Sequence, residues 1–187
     1  MNLEKTKGRL AFLREAERLK SVLRSAHTSS GRTESTAEHS WRLCLMVLAF
    51  EDELAGLDIL RLLKLCVVHD LGEAISGDIP AVDQASHPGK REQEKRDLQQ
   101  LTEALDEAQR DSILALWEEY DEARTPEARA VKALDKLETI LQHNQGLNPP
   151  DFDYAFNLQY GKRYTDAHPF FALVRAVIDE ETRQRMG

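Results

Sequence analysis

The amino-acid sequence predicts an all-α protein built as one domain. Apolar residues recur at intervals of three and four along nearly the whole chain, which places them on one face of a helix. No segment alternates apolar and polar residues as a half-buried strand does, and no repeat or low-complexity tract is visible. A chain of 187 residues can bury a substantial core without disulfides.

The first two helices are predicted from a leucine pattern and a capping signal. A first helix that ends near Arg24 is indicated by leucines at one- and two-turn spacings: Leu3, Leu10, Leu13, Leu19 and Leu23. Residues 25–36 are rich in Ser, Thr and Gly, which is typical of a loop. Ser35 and Glu38 have the spacing of a capping box, so a second helix should begin there and stop near Gly56.

The middle of the chain predicts further helices. Asp58 is a suitable N-cap for a third, mostly apolar helix from Ile59 to about Asp70. Segment 71–82 contains Gly and Pro, so we expect a short helical piece followed by an irregular loop. Two amphipathic, highly charged helices should follow, over residues 90–105 and 108–123.

The last part of the chain begins with a strong helix start at Thr125-Pro126, because Pro is favoured at the first helical position. The inner face of this helix should carry Val131, Leu134, Leu137, Ile140 and Leu141. Asn148-Pro149-Pro150 breaks the chain, and a looser segment rich in Tyr and Phe follows. A closing helix is predicted over Phe170–Arg185.

Composition excludes several classes of function. The formal charge of −8 argues against a DNA- or RNA-binding protein, because binding to a nucleic acid polymer depends on excess Lys and Arg. Cys44 and Cys66 lie in apolar runs and are expected to be small buried hydrophobes without a disulfide framework. No signal peptide and no membrane span is visible, so a cytoplasmic protein is expected.

Four residues stand out as potential metal ligands: His39, His69, Asp70 and Asp135. Each lies in or directly after an apolar helical stretch, where an ionised carboxylate is costly unless a positive charge meets it. Taken alone, His39 is more often a hydrogen-bonded core histidine, and Asp135 could pair with Lys136 or Lys132. Together, two His and two carboxylates directed inward suit one divalent Mn, Co, Fe, Zn or Ni ion.

Two further carboxylates follow the His69-Asp70 pair. Glu73 lies one helical turn beyond His69, so it could stand over the metal without being a ligand. Asp78, between Gly77 and Ile79, should lie in a loop on the same side, although a local turn-forming role is an equal alternative.

These residues occur within sequence motifs that resemble those of one known family. The spacing His39…His69-Asp70…Asp135 looks like the signature of the HD-domain phosphohydrolase superfamily. The words that resemble its bacterial 5'-deoxynucleotidase branch are Arg32-Thr33-Glu34-Ser35-Thr36-Ala37-Glu38-His39-Ser40, Val68-His69-Asp70-Leu71-Gly72-Glu73-Ala74-Ile75-Ser76-Gly77-Asp78, Trp117-Glu118-Glu119-Tyr120, Thr125-Pro126-Glu127-Ala128 and Ala133-Leu134-Asp135-Lys136-Leu137-Glu138. The resemblance covers roughly Leu19 to Leu141.

The resemblance implies a fold and a set of roles. It implies a single HD-type helical domain over residues 1–187, with a motif-bearing core of about 19–144 and a C-terminal helical extension of about 150–187. It implies that His39, His69, Asp70 and Asp135 hold one divalent metal. It also implies that Glu73 acts in catalysis, that Asp78 lies beside the substrate, and that Arg24, eight residues before Arg32, binds the substrate phosphate.

One position departs from this pattern. Ser25 stands where the deoxynucleotidases carry a Trp directly after the phosphate-binding Arg. The resemblance therefore supports phosphatase chemistry more strongly than it supports a preference for nucleotides.

The function expected from the sequence is metal-dependent hydrolysis of a small phosphomonoester, most simply a (deoxy)nucleoside 5'-monophosphate. Arg32 and Lys136 are further candidates for phosphate binding, although Arg32 could instead pair with Glu34 or Glu38. The alternatives are a phosphatase for a non-nucleotide metabolite, a metal-containing nucleotide sensor without turnover, and a metal-free helical scaffold. The sequence leaves a homodimer open.

Overall fold

The structure is a computed structural model that describes residues 2–187, apart from the side chain of Ala85. Its α-helices are α1 (Leu3–Ala16), α2 (Thr36–Ala49), α3 (Ile59–Val68), α4 (Glu73–Ser76), α5 (Lys90–Leu101), α6 (Glu107–Asp121), α7 (Pro126–Gln145), α8 (Lys162–Thr165) and α9 (Pro169–Met186). Short 3-10 helices occupy Glu17–Ser21, Gln84–Ser86 and Tyr154–Leu158. The strands β1 (Leu23–His27) and β2 (Thr33–Ser35) form one antiparallel pair.

Helix α7 is the centre of the molecule. It packs against α2, α3, α6, α8 and α9, and against β1. The stripe predicted for its inner face is buried: Val131, Leu134, Leu137 and Ile140 are fully enclosed. Because α7 is surrounded, two of its charged residues, Asp135 and Glu138, are also buried in the protein.

The predicted capping residues are confirmed. Ser35 and Glu38 form a complete capping box at the start of α2. The Asp58 side chain accepts a hydrogen bond from the backbone N–H of Arg61 at the start of α3. Thr125 caps α7, with Pro126 in its first turn. These bonds satisfy backbone N–H groups that have no partner inside a helix, so the starts of these helices can be read from the sequence. The end predicted for the second helix, near Gly56, is wrong, because α2 stops at Ala49.

The predicted first helix is wrong in its length, and the structure also shows that it lies at the surface. Helix α1 ends at Ala16, the chain continues through a 3-10 turn, and Arg24 lies on strand β1. Helix α1 contains no buried residue, and Leu3 and Leu13 are largely exposed. The leucine spacing therefore predicted a helix correctly over residues 3–16 but not a core-facing one.

The predicted loop over residues 25–36 is also wrong in part. Residues 23–27 and 33–35 pair as two short strands, and the turn between them uses Gly31 with a φ of 83°. Strands this short carry too few residues to show a clear alternation of apolar and polar side chains. Their importance is positional, because β1 lies against α7 and carries Arg24 to the centre of the molecule.

The two cysteines are free thiols. Cys66 is buried in α3, and Cys44 on α2 is half-buried. Among residues 2–187 no helix combines the length and the apolar character needed to cross a membrane.

Candidate active site

The potential metal ligands come from three helices that meet at one point. His39 is on the first turn of α2, directly behind the capping box that fixes where this helix begins. His69 and Asp70 follow the last residue of α3. Asp135 lies in the middle of α7. The sequence thus brings together residues that are up to 96 positions apart, and packing of α2 and α3 on α7 sets their geometry.

The donor atoms of these four side chains converge. The Nε2 atoms of His39 and His69 are 3.3 Å apart. His39 Nε2 is also 3.3 Å from Asp135 Oδ1 and 3.8 Å from Asp70 Oδ2. His69 Nε2 is 3.0 Å from the same Asp70 oxygen. Ligand atoms of His39, His69 and Asp70 thus lie within 4.8 Å of one another, and Asp135 approaches this group at His39.

The partners of the two Nδ1 atoms determine which nitrogen of each histidine faces the centre of the site. His69 Nδ1 donates to the carbonyl oxygen of Cys66 at 2.8 Å. His39 Nδ1 donates to the buried carboxylate of Glu138. With the Nδ1 protons assigned in this way, each Nε2 is directed at the centre and presents a lone pair there when the imidazole is neutral. Such a set is stable only around a positive charge, and its mixture of nitrogen and oxygen donors fits one divalent transition metal.

Electrostatics supports the same conclusion. Burial and Arg24 lower the pKa of His39, but the carboxylates of Glu138 and Asp135 outweigh them and raise it to about 10. Burial opposes ionisation of Asp70, yet its pKa lies well below the usual range because of the two histidines. The point where these nitrogen and oxygen atoms meet therefore strongly favours a positive charge.

A second group of acidic residues lies behind His39. Glu34 and Glu138 approach the Nδ1 side of this ring closely enough to suggest another cation site. However, each carboxylate already faces an arginine: Arg24 Nε is 3.4 Å from Glu34, and Arg42 Nε is 3.6 Å from Glu138. Burial, followed by the nearby Glu138, raises the pKa of Glu34 to about 7. We therefore interpret this group as support for His39 and not as a second metal site.

Glu73 lies at the start of the short helix α4 and faces the cavity. It is buried, and its carboxylate accepts a hydrogen bond from the Thr36 hydroxyl at 3.3 Å and another from Lys90 Nζ at 3.4 Å. Burial, helped by the carboxylates of Asp70 and Asp78, raises the pKa of Glu73 to about 9. The pKa of Asp78 is also raised, chiefly by burial.

Arg24 is enclosed by the site although it belongs to a strand. Its Nη1 is 3.6 Å from Asp70 Oδ2, and its Nη2 donates to the Thr139 hydroxyl at 3.1 Å. Burial lowers the pKa of Arg24, but the surrounding carboxylates, Asp70 first among them, outweigh it and raise the pKa above its usual value. A fixed, always charged guanidinium thus stands beside one of the potential metal ligands.

The two weaker candidates for phosphate binding differ in position. Lys136 Nζ is 2.9 Å from Asp135 Oδ2, and the residue lines the cavity. Arg32 is exposed and makes two hydrogen bonds to Glu38, at 2.7 and 3.0 Å. The structure does not bring Arg32 to the cavity, and it realises the alternative in which Arg32 pairs with Glu38.

One cavity of about 650 Å³ opens in front of these residues. Its wall includes three of the potential ligands, namely His69, Asp70 and Asp135, whereas His39 lies behind them. The other functional candidates that line it are Arg24, Glu73, Asp78 and Lys136. The volume lies within the range of roughly 300–1,000 Å³ that is usual for small-molecule sites.

Sequence reasoning missed several residues that support the site. Tyr120 donates to Asp135 Oδ2 at 2.6 Å, Glu138 holds His39, and Lys90 approaches Glu73. A signal was present for Glu138, because a carboxylate three residues after Asp135 shares its helix face within an apolar stripe. Lys90 carried no such signal, since it begins a highly charged helix that also contains Arg91, Lys95 and Arg96.

Comparison with known proteins gives consistent matches. A protein-family model described as "HD domain" matches residues 16–174. A 5'-deoxynucleotidase from Danio rerio is 37% identical over 138 residues, which cover 73% of this chain and 68% of that protein. A 5'-deoxynucleotidase from Homo sapiens is 36% identical over 138 residues, which cover 73% of this chain and 67% of that protein.

A solved structure extends the similarity to nearly the full length. It is a crystal structure from Magnetospirillum magnetotacticum, described as a "predicted metal-dependent phosphohydrolase". It is 26% identical to this chain and matches with a TM-score of 0.78 over 96% of each chain. The arrangement of helices is therefore shared beyond the segment that carries the motifs.

Proposed function

Because the chain belongs to the HD-domain family, we propose that it is a metal-dependent phosphohydrolase that removes phosphate from a (deoxy)nucleoside 5'-monophosphate. The observation that carries the proposal is the convergence of His39, His69, Asp70 and Asp135, a set of two imidazoles and two carboxylates that favours a positive charge between them. The relatives named as 5'-deoxynucleotidases support the nucleotide as substrate.

The four ligands hold one divalent cation, drawn from Mn, Co, Fe, Zn and Ni, all of which accept imidazole and carboxylate. When bound, such a cation supplies a Lewis acid that polarises a phosphoryl oxygen and makes water more acidic. Glu138 and the Cys66 carbonyl keep the two imidazoles in the tautomer that directs Nε2 to the cation.

Arg24 binds the phosphate. Its guanidinium is buried, fixed by Thr139 and Glu34, and directed at the Asp70 side of the cavity. A planar fork of donors matches the geometry of phosphate oxygens and does not have to be ordered when substrate arrives. Lys136 adds positive charge at the Asp135 side. Arg32, bound to Glu38 and exposed, has no part in this assignment.

Glu73 moves the protons of the reaction. It lies in the same cavity as Arg24 and Asp70, and it is held by Thr36 and Lys90 without being one of the four ligands. A carboxyl group so placed can orient or deprotonate the attacking water, or protonate the leaving 5'-oxygen. Asp78, in the loop that follows α4, faces the substrate from the same side.

The proposal is tested by measuring phosphate release. Chelator-treated protein should be reloaded with each of the five metals and given nucleoside 5'-monophosphates, ribose and deoxyribose 5-phosphates, and non-nucleotide phosphomonoesters. We expect turnover only with metal and with a preference for nucleoside 5'-monophosphates. A metal-loaded protein that binds nucleotides but releases no phosphate would identify a sensor, and a preference for other esters would contradict the assigned substrate.

The role of Glu73 is tested with the variant Glu73→Gln, and Glu94→Gln is its control. Glu73→Gln should retain metal and lose turnover by roughly 10²–10⁴-fold, as is usual for a missing acid–base group. Glu94→Gln removes the other carboxylate that contacts Lys90, and it should retain activity. If both variants turn over at the wild-type rate, the proton transfers belong to another residue, and Asp78 is the next candidate.

A cytoplasmic location and a homodimer stay predictions. Light scattering coupled to size-exclusion chromatography at several concentrations measures the mass in solution and decides between monomer and dimer.

A further inference from the structure

We propose that the ring of Phe156 stacks on the nucleobase, and that Phe156 and Tyr160 form an aromatic wall of the substrate cavity. This inference rests on the proposed function and names the part of the site that recognises the base. It also gives a role to the segment after Asn148, which the motifs in the sequence leave unexplained.

The wall belongs to the same cavity as the phosphate site. Phe156 and Tyr160 both line it, and both are half-buried, so part of each ring is open to the cavity. The two rings stack on each other with centroids 5.1 Å apart and an angle of 29° between their planes. Lys136 Nζ lies 5.0 Å from the centroid of Tyr160 and 2.9 Å from Asp135, which links the wall directly to a metal ligand.

Other rings in the cavity are already engaged. Trp117 and Tyr120 are buried, and the Tyr120 hydroxyl donates to Asp135. Phe152 packs against His143 and Tyr154. Tyr160 has Phe156 and Lys136 as neighbours. Among the aromatic contacts described for residues 2–187, Phe156 has Tyr160 alone, and its half-buried side chain lines the cavity, where a ligand can reach it.

Because residue 25 is a serine, a surface on which the base can stack has to come from another part of the cavity. Ser25 lines the cavity next to Arg24, and its small polar side chain offers no surface on which a base can stack. In the loop that follows α4, the cavity is lined by Ile79, Pro80, Ala81 and Val82, which are aliphatic. A planar base gains most from an aromatic partner, and stacking of this kind depends little on which base is present.

The wall is held rigidly in place by α9. The guanidinium of Arg175 is buried and donates to the carbonyl oxygens of Asn157 and Tyr160, both at 2.6 Å. Asp179 neutralises it at 2.6 Å. From the other side, His143 Nδ1 and Asn157 Oδ1 are hydrogen-bonded at 2.8 Å. The aromatic segment is therefore fixed to both α7 and α9 before substrate binds.

Gly161 allows the wall to approach α7. Its φ is 73°, and a Cβ atom built there would lie 2.5 Å from the Cβ of Lys136. Any other residue would push the segment away from the helix or distort it. This close approach brings Tyr160 over Lys136 and keeps the wall next to the phosphate site.

The test separates base recognition from catalysis. Binding of deoxyadenosine, which has no phosphate to lose, should be measured by calorimetry on metal-loaded wild type, Phe156→Leu and Phe170→Leu. Phe170 packs on Phe50 outside the cavity and is the matched control. We expect Phe156→Leu to weaken nucleoside binding by roughly 5- to 100-fold, the effect of losing one stacking partner, with Phe170→Leu unchanged.

Kinetics provides the second measurement. The same variant should raise KM for deoxyadenosine 5'-monophosphate by a similar factor and leave deoxyribose 5-phosphate unaffected. Three results would contradict the role of Phe156 in base recognition. These are an equal rise of KM for both phosphates in Phe156→Leu, nucleoside binding that is unchanged in this variant, and a wild type that binds no nucleoside. Failure of the wild type to hydrolyse any nucleotide would contradict the proposed function, while the calorimetry would still decide the role of Phe156.

Discussion

The two ring nitrogens of His39 have different partners, and this difference organises the site. Nδ1 donates to Glu138, which is fully buried, so Nε2 is the nitrogen that faces Asp70, Asp135 and His69. A carboxylate behind a metal-binding imidazole fixes its orientation and raises its basicity. A residue that never touches the substrate can thus control how tightly the metal is held.

We therefore expect Glu138→Gln to weaken metal binding by roughly 10–100-fold, as is typical for residues that support a metal ligand. The amide keeps the shape and one acceptor but removes the charge. Competition with a chromogenic chelator measures the metal dissociation constant directly. Glu73→Gln serves as the control, because it also removes a buried carboxylate, but one that is not hydrogen-bonded to a proposed metal ligand. An affinity equal to that of wild type would show that Glu138 only fills space.

The second prediction at this scale concerns Arg24. Its replacement by Ala removes charge-assisted hydrogen bonds to the phosphate, each worth roughly 1.5–3 kcal/mol. We expect a lower kcat/KM, with metal content unchanged because Arg24 is not a ligand. Steady-state kinetics at saturating metal measures the effect. Arg32→Ala, which removes the exposed arginine paired with Glu38, should leave kcat/KM at the wild-type value, and equal losses in the two variants would contradict the assignment.

At the scale of the elements, helix starts were more predictable than helix surroundings. Ser35, Asp58 and Thr125 act locally, through bonds to backbone N–H groups three residues away, so the sequence alone identifies them. Whether a helix is buried depends on what lies next to it. Helix α1 has a leucine pattern but packs at the surface, and the strand that carries Arg24 exists because β2 lies beside it.

Glu119 on α6 provides a test of how elements are joined. Its buried carboxylate accepts hydrogen bonds from Arg61 on α3 and from Thr125, the residue that caps α7. Burial raises the pKa of Glu119, but these two bonds outweigh it, so the pKa lies below its usual value. A carboxylate of this kind stabilises the folded state at neutral pH.

Glu119→Gln should lower the free energy of unfolding at pH 7 by about 1.5–3 kcal/mol. Because the folded-state pKa is the lower one, the contribution of the wild-type carboxylate is complete above the unfolded pKa of about 4.3. It is then lost as the pH falls through the folded-state pKa. Urea unfolding of both proteins between pH 7 and pH 3 measures the difference. A difference that stays constant or grows in acid would contradict the ion pair as its origin.

At the scale of the whole molecule, the site joins positions that are distant in sequence. The motifs identified in the sequence contain His39, His69, Asp70 and Asp135, which the fold brings close together, because charged groups in an apolar helix require a partner wherever they occur. The aromatic wall could not be predicted in this way. It depends on Arg175 of α9 binding backbone carbonyls of residues 157 and 160, and on Gly161 approaching Lys136, none of which leaves a local pattern.

The central claim is that His39, His69, Asp70 and Asp135 hold one divalent metal, and metal content tests it most directly. Elemental analysis of purified wild type should find about one divalent ion per chain. His69→Ala and Asp135→Ala should each lose most of it while circular dichroism shows that they remain folded, and Glu73→Gln should keep it. Undiminished metal in both ligand variants would contradict the site described here.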